Sequence, residues 1–105
     1  MFKNNCPVEA TIGIVGGKWK PTILLHLKDG PRGFNELRRR IPAITQRMLT
    51  LQLRALESDN IIMRKVFATN PPTVEYTFSE HGLTLGPILA ALEHWGYQNL
   101  GVRRN

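Results

Sequence analysis

Residues 44 to 60, ITQRMLTLQLRALESDN, carry leucines at helical spacing and yet keep Arg47 and Arg54 among them. A helix that only filled a core would not need two arginines, so this segment must bury one face and reserve the other for a second task. Advancing about 100° per residue around a helix, Met48, Leu49, Leu51, Leu53, Ala55 and Leu56 are expected on one broad apolar arc. Gln46, Arg47, Thr50, Arg54, Glu57 and Ser58 take the remaining arc, while Gln52 falls among the leucines without an evident role. Thr45 is the expected N-cap, which gives a helix over about 45–59.

The segments around it are short and punctuated by glycine and proline. Cys6-Pro7 reads as a helix start, because proline suits the first helical position. Ala10, Ile14 and Val15 follow as an apolar face that Gly16 and Gly17 end. Trp19, Ile23, Leu24 and Leu27 give a second helix from Trp19 to Lys28, stopped by Asp29-Gly30-Pro31. Phe34, Leu37 and Ile41 give a third over 35–41, with Asn35 as cap and Pro42 as stop. After the fourth helix, IIMRKVF and TVEYTF are rich in β-branched and aromatic residues and are joined by Ala68-Thr69-Asn70-Pro71-Pro72. They predict a two-stranded hairpin over 61–78. Ser79 then caps a last helix reaching Leu100, over 79–100. Its residues Leu85, Ile88, Leu92 and Trp95 are spaced close to a heptad seam. That seam could be packing within one chain, but Gly86-Pro87 should distort the helix there, which favours a contact between two chains.

Helices joined by a tight turn and followed by a hairpin make a winged helix-turn-helix. The fold class is therefore α+β, mostly α, in one domain over 1–105. A chain of 105 residues is long enough to bury about two-thirds of its unfolded surface around one core. No apolar run reaches the roughly 18 residues of a membrane span, and the N-terminus lacks the apolar stretch of a signal peptide, so a cytoplasmic location is expected. Only LGVRRN completes the chain from the end of the last helix, which leaves little for a further ligand domain.

Charge points to the partner. The chain carries a formal +6, and residues 18 to 65 hold eleven Lys and Arg against four Asp and Glu. Solubility alone can explain a basic domain, but a basic middle segment around a helix-turn-helix suits a polyanion. In that motif the second helix enters the major groove. Gln46, Arg47, Thr50 and Arg54 are the candidate base readers, since arginine forks onto guanine and glutamine onto adenine, while threonine offers a hydroxyl or a methyl. The plainer reading of the same strip is a solvated face with a Glu57 to Arg54 contact. Lys18, Lys20, Arg38, Arg39, Thr45, Arg64 and Lys65 are candidate phosphate contacts. Arg64 and Lys65 are adjacent in a strand and must face opposite sides, so one of them is expected to face DNA. The wing tip has neither lysine nor arginine, which argues against its insertion into a minor groove.

These residues resemble the HxlR-type regulators, small bacterial winged-helix proteins related to the MarR group. The resemblance runs from CPVEATIGIVGGKWKPTILLHL through GFNELRRRIPAITQRMLTLQLRALE to PPTVEYTFSEHG, nearly the whole chain. It implies a homodimeric transcription factor, read as a repressor on a palindromic double-stranded promoter operator. The first and last helices would pair the protomers, with Val8, Leu85, Ile88, Leu92 and Trp95 at the interface. Some members sense electrophiles or oxidants through a cysteine just before PVE, the position of Cys6, so a small-molecule or electrophile inducer is a candidate partner. A thiol at a helix N-terminus feels the positive end of the helix dipole, and Lys3 stands nearby in sequence. An inert, partly buried thiol is the alternative.

Enzymatic readings fail on spacing, and no cofactor or metal is expected. GIVGGKWK lacks the phosphate-loop pattern, because Ile12 and Trp19 occupy the positions of its first glycine and its Ser or Thr. His26, His81, His94 and Cys6 have no metal-ligand spacing. The rival to a DNA reader is a winged-helix docking module that binds proteins without sequence-specific DNA readout.

Overall fold

The computed structural model describes residues 5–103. Along the chain they form α1 (Pro7–Val15), α2 (Lys20–Leu27), β1 (Arg32–Gly33), α3 (Phe34–Arg40), α4 (Gln46–Ser58), β2 (Ile62–Phe67), β3 (Thr73–Phe78), a 3₁₀ turn (Gly82–Leu85) and α5 (Gly86–Asn99). The winged helix-turn-helix is there, mostly helical, with α3 and α4 as the helix pair and β2–β3 as the wing. The expected two-stranded hairpin gains a third strand. β1 pairs antiparallel with β3, Arg32 opposite Tyr76 and Gly33 opposite Glu75, in the order β1-β3-β2. Two residues carry no alternation to read, so this strand left no mark in the sequence pattern.

The core is built by α2, α3, α4 and the base of the wing. Ile23, Leu24, Leu37, Leu49, Leu53 and Leu56 are completely or almost completely buried, and Ile41, Ile44, Ile61, Ile62 and Tyr76 close around them. Ile41 and Ile44 belong to the turn between α3 and α4, so the turn is itself packed into the core and sets the angle of the helix pair. Gly33, extended and paired with β3, runs directly into α3 as its N-cap residue in place of the expected Asn35.

Both ends of α4 are specified locally. The Met48 amide donates to the Thr45 hydroxyl at 3.0 Å, a cap worth about 1 kcal/mol. At the other end Asn60 takes a left-handed φ of 60°. The Ile61 amide then reaches the Leu56 carbonyl and the Asn60 amide the Glu57 carbonyl, both at 2.9 Å. That is a Schellman closure with asparagine in the left-handed position, and its apolar pair is Leu56 and Ile61. Gln52 also finds a role, since its amide nitrogen lies 3.1 Å from the Met48 sulfur.

Ser79 is buried and does not cap the long helix; it binds the first residue of the 3₁₀ turn. Its hydroxyl donates to the Asn60 carbonyl at 2.6 Å and accepts from the Gly82 amide at 2.8 Å. Gly82 has to be glycine, because a β-carbon there would collide with the Ile61 carbonyl. Pro87 lies in the first turn of α5, where it needs no N–H partner. Gly86-Pro87 therefore starts a helix and does not bend one. Lys28 on α2 pairs with Glu93 on α5 at 3.2 Å.

A small ionic cluster joins α2, β1 and α3. Arg32 Nη1 and Arg40 Nε both donate to Glu36 Oε2, at 3.0 and 3.3 Å, and Arg32 Nε donates to the His26 carbonyl at 3.1 Å. Burial opposes ionisation of Glu36, but the two guanidiniums outweigh it and hold the carboxyl below its ordinary value. Burial, with Arg40 and Arg32 adding to it, holds the His26 imidazole below its ordinary 6.5.

Two outcomes follow from these contacts. Ser79→Ala leaves the buried Gly82 N–H unpaired and should cost about 1–3 kcal/mol in urea unfolding, with an unchanged α-helical spectrum of the native state. For His26 the unfolded imidazole takes up its proton before the native one does. The stability it contributes is complete above the ordinary value and is lost as pH falls from there through the lowered native value. The urea midpoint should therefore drop as pH falls through and below about 6.5, and drop less in His26→Gln; an equal drop in both proteins would exclude His26 as the cause.

Candidate nucleic-acid interface

The core decides what α4 can show to the outside. Leu49, Leu53 and Leu56 are turned inward as one ridge, at 0, 1 and 0 % exposure. The opposite side presents Gln46, Arg47 and Arg54 as exposed side chains, with Thr50 half-buried at its edge. The four expected base readers come together and line one open concavity with Leu51. The Thr50 hydroxyl donates to the Gln46 carbonyl at 2.9 Å, so its proton is spent within the helix and its oxygen can only accept.

Leu51 does not join the apolar arc expected of it. It is 53 % exposed, because it stands about 200° from both Leu49 and Leu53, across the helix from the buried ridge. The angle was present in the sequence, but residue type outweighed it in the expectation. Met48 and Ala55, at the edges of the arc, are half-buried.

A second open concavity lies between α4 and the wing, lined by Thr50, Arg54, Glu57, Ser58, Arg64 and Tyr76 over Leu53. Thr50 and Arg54 belong to both concavities, so the helix face runs on into the wing. Glu57 pairs with Arg64 across this space at 4.0 Å, not with Arg54 as the spacing on the helix suggested. Burial and the nearby Glu57 carboxylate push the Tyr76 phenol up, against the opposing Arg64 and Arg54. The phenol thus stays a neutral hydrogen-bonding group at neutral pH.

The candidate phosphate contacts divide by position. Arg64 faces α4 from β2. Lys65 faces the other side of the strand, opposite Glu75, with its ammonium 5.3 Å from the centre of the Phe67 ring. Arg38 and Arg39 are exposed at the end of α3, beside Arg40, which is tied to Glu36. Lys18 and Lys20 stand at the start of α2, Lys18 with its ammonium 4.8 Å from the centre of the Trp19 ring. Thr45 uses its hydroxyl oxygen as the cap of α4 and keeps its proton to donate.

Cys6 is the N-cap residue of α1, half-buried, in extended backbone, and its side chain makes no cap hydrogen bond. Lys3 lies outside the described residues. Val8 of α1 and Ile88, Leu92 and Trp95 of α5 are exposed at 45 to 63 %. Leu85 does not share their face. It precedes α5, in the 3₁₀ turn, and packs against the core, while Leu89 is the α5 residue turned the same way. Among the described residues no three of His, Cys, Asp and Glu gather to hold a metal, and no helix is long and apolar enough to cross a membrane.

An arginine-bearing helix face of this kind, continuous with a wing, suits a polyanion with readable edges. Comparison with known proteins agrees. The HxlR-like helix-turn-helix family matches residues 14–104. The HTH-type transcriptional regulator YybR of Bacillus subtilis (strain 168) is 52 % identical over 100 residues, covering 95 % of this chain and 80 % of the relative. The redox regulator HypR in its oxidized form superposes with a TM-score of 0.86 at 51 % identity, over 95 % of this chain and 100 % of that one. The transcriptional regulator YodB from B. subtilis, in its reduced form, superposes with a TM-score of 0.79 at 34 % identity, over 91 % and 95 % of the two chains. These relatives are regulators and not enzymes. The chain belongs to the HxlR-like helix-turn-helix family of transcriptional regulators.

Proposed function

We propose that the chain is a sequence-specific reader of double-stranded DNA that acts as a homodimer and represses transcription by occupying a promoter operator. The observation that carries this reading is the outward face of α4, where Gln46, Arg47, Thr50 and Arg54 gather opposite a fully buried leucine ridge. α4 is the recognition helix in this reading and enters the major groove. Arg47 reads a base through its fork of donors, assisted by Gln46 and Arg54. Arg38, Arg39, Arg64, Lys18, Lys20 and the Thr45 hydroxyl meet phosphates, and Arg64 exchanges Glu57 for one of them. Lys65, on the other face of β2, has the weakest case among the candidates. Such a protein works in the cytoplasm of a bacterial cell, where the operator is.

The dimer rests on the exposed apolar residues of α1 and α5. No residue of α5 is buried, although Ile88, Leu92 and Trp95 are large and apolar. Covering them with the same face of a second chain removes them from water, and the interface comprises Val8, Ile88, Leu92 and Trp95. Leu85 contributes from behind, as part of the packing under α5.

A switch follows from the position of Cys6 at the start of α1. HypR is a redox regulator, and its likeness to this chain supports a sensing role for the thiol. The chain has one cysteine, so its response to an oxidant or electrophile is an adduct, a mixed disulfide with a small thiol, or a bridge between the Cys6 thiols of two protomers. Any of these changes how α1 packs in the dimer and hence the separation of the two α4 helices.

Selection from a randomised duplex pool with the reduced protein, followed by anisotropy titration at several salt concentrations, tests the reading. The expected result is an inverted repeat whose half-site centres lie about 34–36 Å apart, bound far more tightly than scrambled DNA. Arg47→Ala should cost about 1–3 kcal/mol on that sequence and relax preference at one base pair; equal weakening on every duplex would remove Arg47 from base readout. Weak, salt-dependent binding with no enriched sequence would leave the docking module as the better reading. Adding a disulfide-forming oxidant should release the wild-type protein from its operator and leave Cys6→Ser bound, whereas equal release of both would rule out Cys6 as the sensor.

A further inference from the structure

The outward face of α4 contains one residue that the charged and hydrogen-bonding readout does not use. Leu51 is 53 % exposed, in the concavity it shares with Gln46, Arg47, Thr50 and Arg54. Its position is set by the fold. Leu49, Leu53 and Leu56 hold the opposite side of the helix in the core, and the Thr45 cap and the left-handed Asn60 close its two ends. α4 therefore cannot roll to bury Leu51.

The neighbours of Leu51 limit what can cover it. Arg47 lies one turn before it and Arg54 one turn after it, both exposed, and Glu57, the only acidic residue of α4, is engaged with Arg64 on the wing side. An apolar protein surface placed over Leu51 would have to strip water from both guanidiniums, which is costly without new partners. A DNA groove supplies those partners as phosphates and base acceptors. Leucine itself can neither donate nor accept a hydrogen bond, so it distinguishes bases only by apolar contact. Among the groups that base edges present in the major groove, the apolar one is the C5 methyl of thymine.

We propose that Leu51 is a specificity-determining residue that reads a thymine methyl, next to the base contacted by Arg47. The inference rests on α4 being the base-reading helix. Thr50 is the other side chain in the concavity with a methyl to offer, but it is half-buried at the edge of the face, and its hydroxyl is bonded back to Gln46. Leu51 is exposed and points away from the buried ridge.

The experiment uses the enriched operator and deoxyuridine, which pairs as thymine does and lacks only the methyl. Each thymine of one half-site, together with its symmetry mate, is replaced in turn, and affinity is measured for the wild type, Leu51→Ala and Thr50→Ser. Burying one methyl corresponds to about fourfold in affinity per contact. One position, replaced with its mate and so losing two contacts, should weaken wild-type binding by about fifteenfold and have no effect on Leu51→Ala, and the penalty should persist in Thr50→Ser. Thermal melts of the three proteins should coincide, because Leu51 lies outside the core. If no position shows a penalty, or if the penalty is the same in Leu51→Ala or vanishes in Thr50→Ser, Leu51 does not read thymine, while the DNA-reading function stands on the enriched operator. If the pool yields no enriched sequence, both fall together.

Discussion

The burial of the α4 leucine ridge is the contact on which the rest of the molecule depends. Leu49, Leu53 and Leu56 share one cluster with Ile23, Leu24 and Leu27 of α2 and Leu37 of α3. Removing side chains of that size from water contributes about 1.5–3 kcal/mol each. Because the ridge occupies one side of the helix, it also decides, to within one residue, which side chains face outward. Stability and recognition are thus set by the same rotation of α4 about its axis. A quarter turn would put Thr50 into the core and Leu56 into water.

Electrostatics refines what the packing exposes. Of the cations in the middle of the chain, Arg32 and Arg40 are tied to Glu36, Arg64 to Glu57 and Lys28 to Glu93. The pairs made by Arg32 and Lys28 link neighbouring elements, and that of Arg40 lies within α3. Arg47, Arg54, Arg38 and Arg39 stand exposed on α4 and at the end of α3. Exposed pairs such as Glu57–Arg64 are worth little in water, so a phosphate can displace the carboxylate at small cost. A net charge says that a polyanion will be attracted; the pairing pattern says which arginines remain to meet it.

α1 and α5 follow a different logic from the core helices. Their apolar residues outnumber the places the monomer core has for them, and α1 contributes only Val15 as a buried side chain. Val8 on α1 and Ile88, Leu92 and Trp95 on α5 stay in water although they are large and apolar, which fits helices organised around a second surface as well as a core. Cys6 is the N-cap residue of α1, the helix that carries Val8. In the proposed function, a change in the chemistry of that thiol acts on the α4 helices through the packing of α1 in the dimer.

Much of this was legible in the residues because the signals are local. The Thr45 cap, the start of α1 at Pro7, the wing strands and the strip of Gln46, Arg47, Thr50 and Arg54 each follow from periodicity or from backbone chemistry within a few positions. Those preferences act over one or two turns, and the chain states them directly. Tertiary structure decided the features that depend on residues far apart in sequence. β1 exists because β3 offers it an edge, and Glu57 turns to Arg64 because the wing folds back beside α4. Gly82 has to be glycine because the Ile61 carbonyl passes so close, and Leu85 packs inward because α5 begins only after it. Leu51 belongs between the two groups: its angle was in the sequence, but only the packed ridge behind it determined that a leucine would face the solvent. Local preferences set which elements form, whereas the partner that each side chain meets is fixed only when those elements compete for one core.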